Sequence, residues 1–119
     1  TAAQVRQKAA LLKRMTTDDL TPLKVTDLMI DGQDPTPLLV AFDGQDFISL
    51  ADGYYFARPV YQRVVAKVTE YLRDHPTGID LGGYRDLTAT SRKYAMMVLE
   101  RLDKDGVTKR LNRVHVLNA

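Results

Sequence analysis

The stretch that decides the fold is residues 84–117, YRDLTATSRKYAMMVLERLDKDGVTKRLNRVHVL. Apolar residues recur in its middle at the spacing that places them on one face of a helix. These are Ala95, Val98, Leu99 and Leu102. Gly106 follows where a left-handed residue commonly ends a helix. Two short β-rich runs, 107–111 and 114–117, then flank a polar turn and predict a β-hairpin.

Two more helices are predicted upstream of this stretch. Residues 58–74 carry a strong apolar stripe at helical spacing, and His75-Pro76 ends it. Asp80 is a suitable N-cap for a short helix that runs through Leu87. Three helices followed by a hairpin is the order of a winged helix, a helix-turn-helix with a terminal β-hairpin.

The first half of the chain repeats this order. Val5, Ala9 and Leu12 recur at helical spacing, with Leu11 and Met15 beside them, and predict a first helix and its apolar stripe. Thr21-Pro22 and Thr36-Pro37 are both typical helix starts, since threonine caps and proline suits the first helical position. The second of the three helices is expected to end at Asp31-Gly32, before the third begins. A hairpin is predicted over 46–56, around a turn that contains glycine.

The two halves align at an offset of 62 residues, which superimposes Asp43-Gly44 on Asp105-Gly106. We therefore predict a mainly α protein with small β-hairpins (α+β), built from two tandem winged helices. Their boundaries are residues 1–57 and 58–119, joined without a flexible Gly/Ser linker. The competing interpretation is one mixed α+β domain that carries two hairpins.

Charge differs between the halves. Residues 1–57 hold five basic and eight acidic residues, a net charge of −3, whereas residues 58–119 hold twelve and seven, a net charge of +5. A basic half points to a polyanionic partner, and residues 1–57 are expected to act as a spacer or support. A solvated surface with chance clustering is the alternative.

Several classes of site are disfavoured by the sequence. There is no cysteine and there are only two histidines, so cysteine chemistry is excluded and a multi-histidine metal site is unexpected. No phosphate-binding loop and no nucleophile motif occur. The longest apolar runs have five residues, against about 20 for a membrane span. We predict a chain that is not an enzyme, with no catalytic, cofactor or metal residues and no membrane partner.

The strongest functional signal is a set of cations at the expected nucleic-acid face. In a helix-turn-helix, the start of the second helix meets the nucleic acid, and free backbone N–H groups there favour phosphate. The predicted contacts on the two helices are Arg85, Ser91, Arg92, Lys93 and Tyr94, and those on the wing are Lys109, Arg110 and Arg113. Ordinary surface charges are the alternative. Asp103 and Asp105, at the end of the helix that begins near Ser91, are expected to face water.

Several of these residues also carry a family resemblance. The motifs are Arg85-Asp86-Leu87, Thr90-Ser91-Arg92-Lys93-Tyr94-Ala95, Leu99-Glu100 with Leu102-Asp103, and Gly106-Val107-Thr108-Lys109-Arg110. They resemble the last winged helix of the bacterial selenocysteine-specific elongation factor family, SelB. The resemblance implies RNA contacts at Ser91, Arg92, Lys93, Tyr94 and Arg110. At the wing tip, Leu111-Asn112-Arg113 departs from the family's Gly-Asp followed by Arg, so Arg113 is the expected substitute and His115 stands near that position.

The resemblance also implies a function. In that family four winged helices follow a GTPase and its β-barrels, and the last binds the mRNA stem-loop (SECIS) that recodes UGA. The chain would then be the third and fourth modules, cut from a cytoplasmic factor whose GTP and magnesium belong to the missing GTPase domain. Its partners would be the stem-loop and, through the full-length factor, the ribosome and selenocysteyl-tRNA, and the chain is expected to be monomeric. The alternatives are a DNA-binding winged-helix transcription regulator and a protein-interaction module.

Overall fold

The computed structural model describes residues 2–29 and 32–118, and within them the chain forms two compact units. Thr1–Tyr61 make up the first unit and Gln62–Ala119 the second. The described strands form two separate sheets, one with three strands and one with two. Separate sheets agree with two winged helices and not with one domain that shares a sheet between its hairpins.

The first unit contains two helices and a three-stranded antiparallel sheet. The helices are α1 (Ala2–Met15) and α2 (Thr36–Ala41), and the strands are β1 (Leu23–Lys24), β2 (Phe47–Ser49) and β3 (Tyr54–Ala57). The sheet order is β1-β3-β2, with Leu23 opposite Tyr55 and Ile48 opposite Phe56. Its core includes Leu39, Phe47 and Phe56, all buried. The predicted third helix and hairpin of this half are therefore confirmed.

Two predictions for this unit are wrong, and the first concerns Thr21-Pro22. This pair begins no α-helix: Leu23–Lys24 is a strand, followed by a 3-10 helix over Val25–Leu28. The strand forms because its backbone completes the sheet against Tyr54 and Tyr55, a tertiary pairing that outweighs the local capping signal. The predicted end of that helix at Asp31-Gly32 includes Asp31, which lies outside the described residues.

The buried face of α1 also differs from the predicted apolar stripe. Leu11 and Met15 are buried, whereas Val5 is 63% exposed and Ala9 is exposed. Both sets of residues recur at helical spacing, so spacing alone does not show which stripe is buried. The packing of α1 against the rest of its unit decides it. Strand β3 is among the elements that α1 contacts.

The second unit holds most of α3 (Arg58–Asp74), and all of α4 (Leu81–Thr88), α5 (Arg92–Lys104), β4 (Thr108–Leu111) and β5 (Val114–Leu117). Asp80 caps α4 by accepting the Gly83 N–H at 2.7 Å. Gly106 has a φ of +75° directly after α5. The three predicted helices and the hairpin of this half are confirmed, with ends shifted by a residue or so.

A backbone bridge gives the second unit the same topology as the first. Ile79 and His115 exchange two hydrogen bonds, N–H to O at 2.9 and 2.8 Å, and so add a one-residue strand beside β5. In the first unit β1 pairs with β3, which is likewise the last strand. Each unit therefore has a helix, a short strand, two helical segments and a hairpin.

Gly78 is required by the turn that enters this bridge. Its φ is +113°, and a Cβ there would lie 3.0 Å from the His115 carbonyl oxygen and 3.0 Å from the Val114 Cβ. We expect Gly78→Ala to lower the free energy of unfolding by about 1–3 kcal/mol, because strain and overlap with backbone act together. Urea unfolding measures it.

Gly82→Ala is the matched control for that substitution. Gly82 is helical, and a Cβ added there would have an Asp80 carboxylate oxygen as its nearest neighbour, 3.6 Å away. Its alanine variant should be neutral or slightly more stable. Equal losses of stability in the two variants would contradict the account of Gly78.

Candidate nucleic-acid interface

Four arginines converge on one cleft of the second unit. They come from three elements and from the turn between β4 and β5: Arg85 from α4, Arg92 from α5, Arg110 from β4 and Arg113 from that turn. All four side chains are exposed. The cleft measures about 470 Å³.

The secondary structure explains why these side chains meet. Arg92, Met96 and Leu99 follow one another at helical spacing, so one face of α5 lines the cleft. The ladder between β4 and β5 sets Arg110 opposite His115. Asp80, Leu81 and Gly82 bring the start of α4 to the cleft as well. Helix-turn-helix and wing thus enclose one space.

The cleft has a basic rim with two carboxylates and an apolar part. Asp80 and Glu100 are its acids, and Leu81, Met96 and Leu99 supply apolar surface. Within the part of the chain that the structure describes, none of the four guanidinium groups is in an ion pair. Arg110 donates from Nε to the Asn112 carbonyl oxygen at 2.9 Å, which fixes its stem beside the turn. Four cations against two acids make the cleft attractive to phosphate.

The other four predicted contacts do not line this cleft. Ser91 is the N-cap of α5 and its hydroxyl accepts the Tyr94 N–H at 3.4 Å. Lys93 is exposed and Tyr94 half-buried on other faces of α5, while Lys109 is exposed on β4. The structure therefore brings together Arg85, Arg92, Arg110 and Arg113, and leaves the remaining four around the start of α5 and along the wing.

Asp103 does not face water as predicted. Its carboxylate accepts the Thr108 hydroxyl at 2.6 Å and lies 2.9–3.0 Å from Nδ1 of His115. Thr108 and His115 are both buried, at 1% and 7% exposure. A carboxylate at the end of α5 is drawn inward because the hairpin folds back over it and offers two donors. Asp105, by contrast, pairs with Arg101 at 3.0 Å on the surface.

Sequence reasoning did not predict two residues of the cleft as contacts, although it noted His115 near the position of the family's wing arginine. His115 lines the cleft from β5, and Met96 lines it with 47% of its surface exposed. Alternation of polar and apolar residues along β5 gave no sign that His115 would be buried, and Met96 resembles any other apolar residue of a helix. Its position between Arg92 and Glu100, at helical spacing, is the signal that could have identified it.

The acids of the first unit are used in local structure. Asp34 accepts both the backbone N–H and the hydroxyl of Thr36, at 2.9 and 2.5 Å, and these hydrogen bonds lower the pKa of its carboxyl group. Asp46 pairs with Lys8 at 3.1 Å. Arg14 of α1 donates to two backbone carbonyl oxygens, those of residues 27 and 29. These contacts stabilise the unit and form no cationic cleft like that of the second unit.

Neither a metal cluster nor a membrane-spanning helix occurs in the described residues. In residues 2–29 and 32–118 there is no group of three or more His, Asp or Glu side chains that could hold a metal ion. No helix in these ranges is long and apolar enough to cross a membrane. The convergence of four arginines makes the arginine cleft the candidate functional site.

Comparison with known proteins identifies the fold. The solved mRNA-binding domain of E. coli elongation factor SelB, in complex with SECIS RNA, matches with a TM-score of 0.69 at 21% identity and covers 94% of this chain and 97% of that one. The match supports the winged-helix architecture.

A curated relative and a family model agree with the fold. The selenocysteine-specific elongation factor of Desulfomicrobium baculatum is 30% identical over 66 residues, which is 54% of this chain and 10% of that protein. The chain thus spans about a tenth of the length of this relative. The family described as elongation factor SelB, winged helix, matches residues 70–117, the segment that contains the arginine cleft. Residues 70–117 are therefore similar in sequence to a winged helix of elongation factor SelB.

Proposed function

We propose that this chain binds an mRNA stem-loop through the arginine cleft and serves as the RNA-binding part of a selenocysteine-specific elongation factor. The observation that carries the proposal is the convergence of Arg85, Arg92, Arg110 and Arg113 in the segment that matches SelB. The SelB domain that shares its fold was solved with SECIS RNA. A stem-loop offers the phosphates that such a cleft attracts.

In this proposal, the groups that supply affinity for RNA differ from the groups that recognise its sequence. Phosphate contacts fix position without reading sequence, and an A-form stem hides its major groove from side chains. Identity must then come from unpaired bases in a loop or bulge. Arg92 is the proposed base-reading group, with Tyr94 as a stacking plane beside the start of α5. Lys93, Lys109, Arg110 and Arg113 are the proposed phosphate contacts.

The two halves have different roles in the same proposal. Residues 58–119 bind RNA, and residues 1–57 act as a spacer or support. The net charges of +5 and −3 favour this division, and so do the local contacts of Asp34 and Asp46 in the first unit. The chain acts as a monomer, since its described apolar helices are committed to the two cores.

The rest of the factor would supply the chemistry. GTP hydrolysis with magnesium would belong to a GTPase domain elsewhere in the full-length protein, whose relative is about ten times as long as the matched segment. Through that protein the chain would act at the ribosome with selenocysteyl-tRNA, in the cytoplasm. The chain itself requires no cofactor in this proposal.

A side-by-side titration tests the proposal. The chain is titrated with an RNA stem-loop that carries unpaired loop and bulge bases, and with a DNA duplex of equal length, at the same ionic strength. We expect tighter binding to the stem-loop, and a log–log salt slope of roughly −3 to −4 for about four phosphate contacts. Tighter binding to the duplex would favour a DNA-binding regulator, and no binding to either would leave a protein-interaction module.

Lys109 provides a check on the phosphate contacts. It is exposed on β4 and does not line the cleft. We expect Lys109→Ala to weaken cognate and loop-scrambled stem-loops by the same factor, and to reduce the salt slope by about one. Binding measured at four salt concentrations gives both quantities. A change confined to the cognate RNA would instead assign Lys109 to base reading.

A further inference from the structure

We propose that His115 is a further RNA-contacting residue, which donates a hydrogen bond from Nε2 to an RNA phosphate and takes up a proton as the RNA binds. The proposal rests on the stem-loop function proposed above and names one more group of the same cleft. His115 is not among the cations that the sequence singled out. We consider it because it lies on β5 and lines the cleft.

The first step concerns which nitrogen is available. Nδ1 lies 2.9–3.0 Å from the Asp103 carboxylate, which can only accept, so Nδ1 carries a hydrogen. Nε2 has no hydrogen-bond partner among the described residues, and His115 lines the cleft while Asp103 does not. Nε2 is therefore the nitrogen left for a ligand in the cleft.

The second step concerns orientation. The Thr108 hydroxyl holds the same Asp103 carboxylate at 2.6 Å, and His115 is 7% exposed. The backbone of His115 is fixed by two hydrogen bonds to Ile79, and the residue lies opposite Arg110 in the hairpin. Asp103 and Thr108 are positioning residues, because they fix the ring without touching the cleft themselves. A ring held in this way loses little freedom when it binds.

The third step concerns charge. Asp103 contacts the ring, and the charged residues that line the cleft together with His115 are Arg92 and Glu100 from α5, Arg110 from β4, Arg113 from the turn, Arg85 from α4 and its N-cap Asp80. Four guanidinium groups line the cleft. Phosphates that enter the cleft neutralise them and add negative charge beside Nε2, which favours the imidazolium.

The proton balance follows from these steps. In the neutral ring with hydrogen on Nδ1, Nε2 presents a lone pair, which repels a phosphate oxygen. On binding, Nε2 takes a proton from solvent, an N–H bond forms, and that N–H donates to the phosphate. By linkage, affinity then falls as pH rises, with a limiting slope of one proton or about tenfold per pH unit.

The experiment measures stem-loop affinity between pH 5.5 and 8.5 at constant ionic strength. For the unmodified chain we expect affinity to fall about tenfold or less per pH unit across part of this range. His115→Asn, whose amide nitrogen can still donate to Asp103, should bind with a flat profile at the weaker, high-pH level. His75→Gln is the matched control, because His75 stacks on Tyr71 outside the cleft and its variant should keep the slope.

A second measurement needs no variant. Calorimetric titration of the unmodified chain in buffers of different ionisation enthalpy should report net proton uptake on RNA binding at pH values where the slope is seen. A flat profile for the unmodified chain, a slope that survives His115→Asn, or no proton uptake would each overturn the inference while stem-loop binding persists. Absence of stem-loop binding at every pH would overturn the proposed function and this inference together.

Discussion

Arg92→Ala is expected to cost about 1–3 kcal/mol of stem-loop affinity, the range found for arginines that read bases, and to reduce discrimination between loop sequences. Arg92 stands in the first turn of α5, is exposed, and lines the cleft beside Met96. Loss of a group that contacts an unpaired base weakens the cognate loop more than a scrambled one. Titrations with both RNAs measure the difference directly.

Arg73→Ala is the control for charge alone. Arg73 is exposed in the last turn of α3 and does not line the cleft, so its variant should bind both RNAs with little change. If Arg92→Ala weakened the cognate and scrambled stem-loops equally, Arg92 would be a phosphate contact only. Base reading would then have to be sought elsewhere, with Tyr94 as the next residue to test.

Leu102→Ala is expected to destabilise the second unit by about 2–5 kcal/mol, because a fully buried leucine is replaced by a cavity. Leu102 is buried on α5, so loss of its packing weakens the contact between the core of the second unit and the helix that carries Arg92. We expect hydrogen exchange of the second unit to accelerate and stem-loop affinity to fall at temperatures where that unit is partly unfolded. Thermal unfolding with hydrogen exchange reports both.

Leu39→Ala is the matched variant in the first unit, where Leu39 is also fully buried. It should accelerate exchange in that unit and leave stem-loop affinity unchanged while the second unit stays folded. This pair tests both the division of the chain and the assignment of RNA binding to one half. Equal acceleration in both units by either variant would indicate one cooperative domain.

Local signals predicted the second unit well. Asp80, Ser91 and Gly106 mark helix ends through capping and left-handed geometry, which depend on neighbouring residues alone. The strand Leu23–Lys24 could not be predicted in this way, since two residues have no periodicity and their structure depends on pairing with β3. The buried stripe of α1 depends likewise on what the helix packs against.

The candidate site was predictable in part for the same reason. Helix-turn-helix and wing topology bring Arg92, Arg110 and Arg113 to one side once the fold is known. The contact between Asp103 and His115 joins α5 to β5, and no local pattern around either residue predicts it. Arg92 lines the cleft whereas Lys93 and Tyr94 do not, because consecutive residues of α5 point in different directions around the helix.

The backbone bridge between Ile79 and His115 has a consequence for the order of events during synthesis. It joins the segment before α4 to the last strand of its unit, so the sheet cannot close while that strand is still inside the ribosomal exit tunnel. The helices can form earlier, but the wing is fixed only after release of the strand. A nascent chain of this protein therefore completes the arginine cleft only at the end of the synthesis of its second unit.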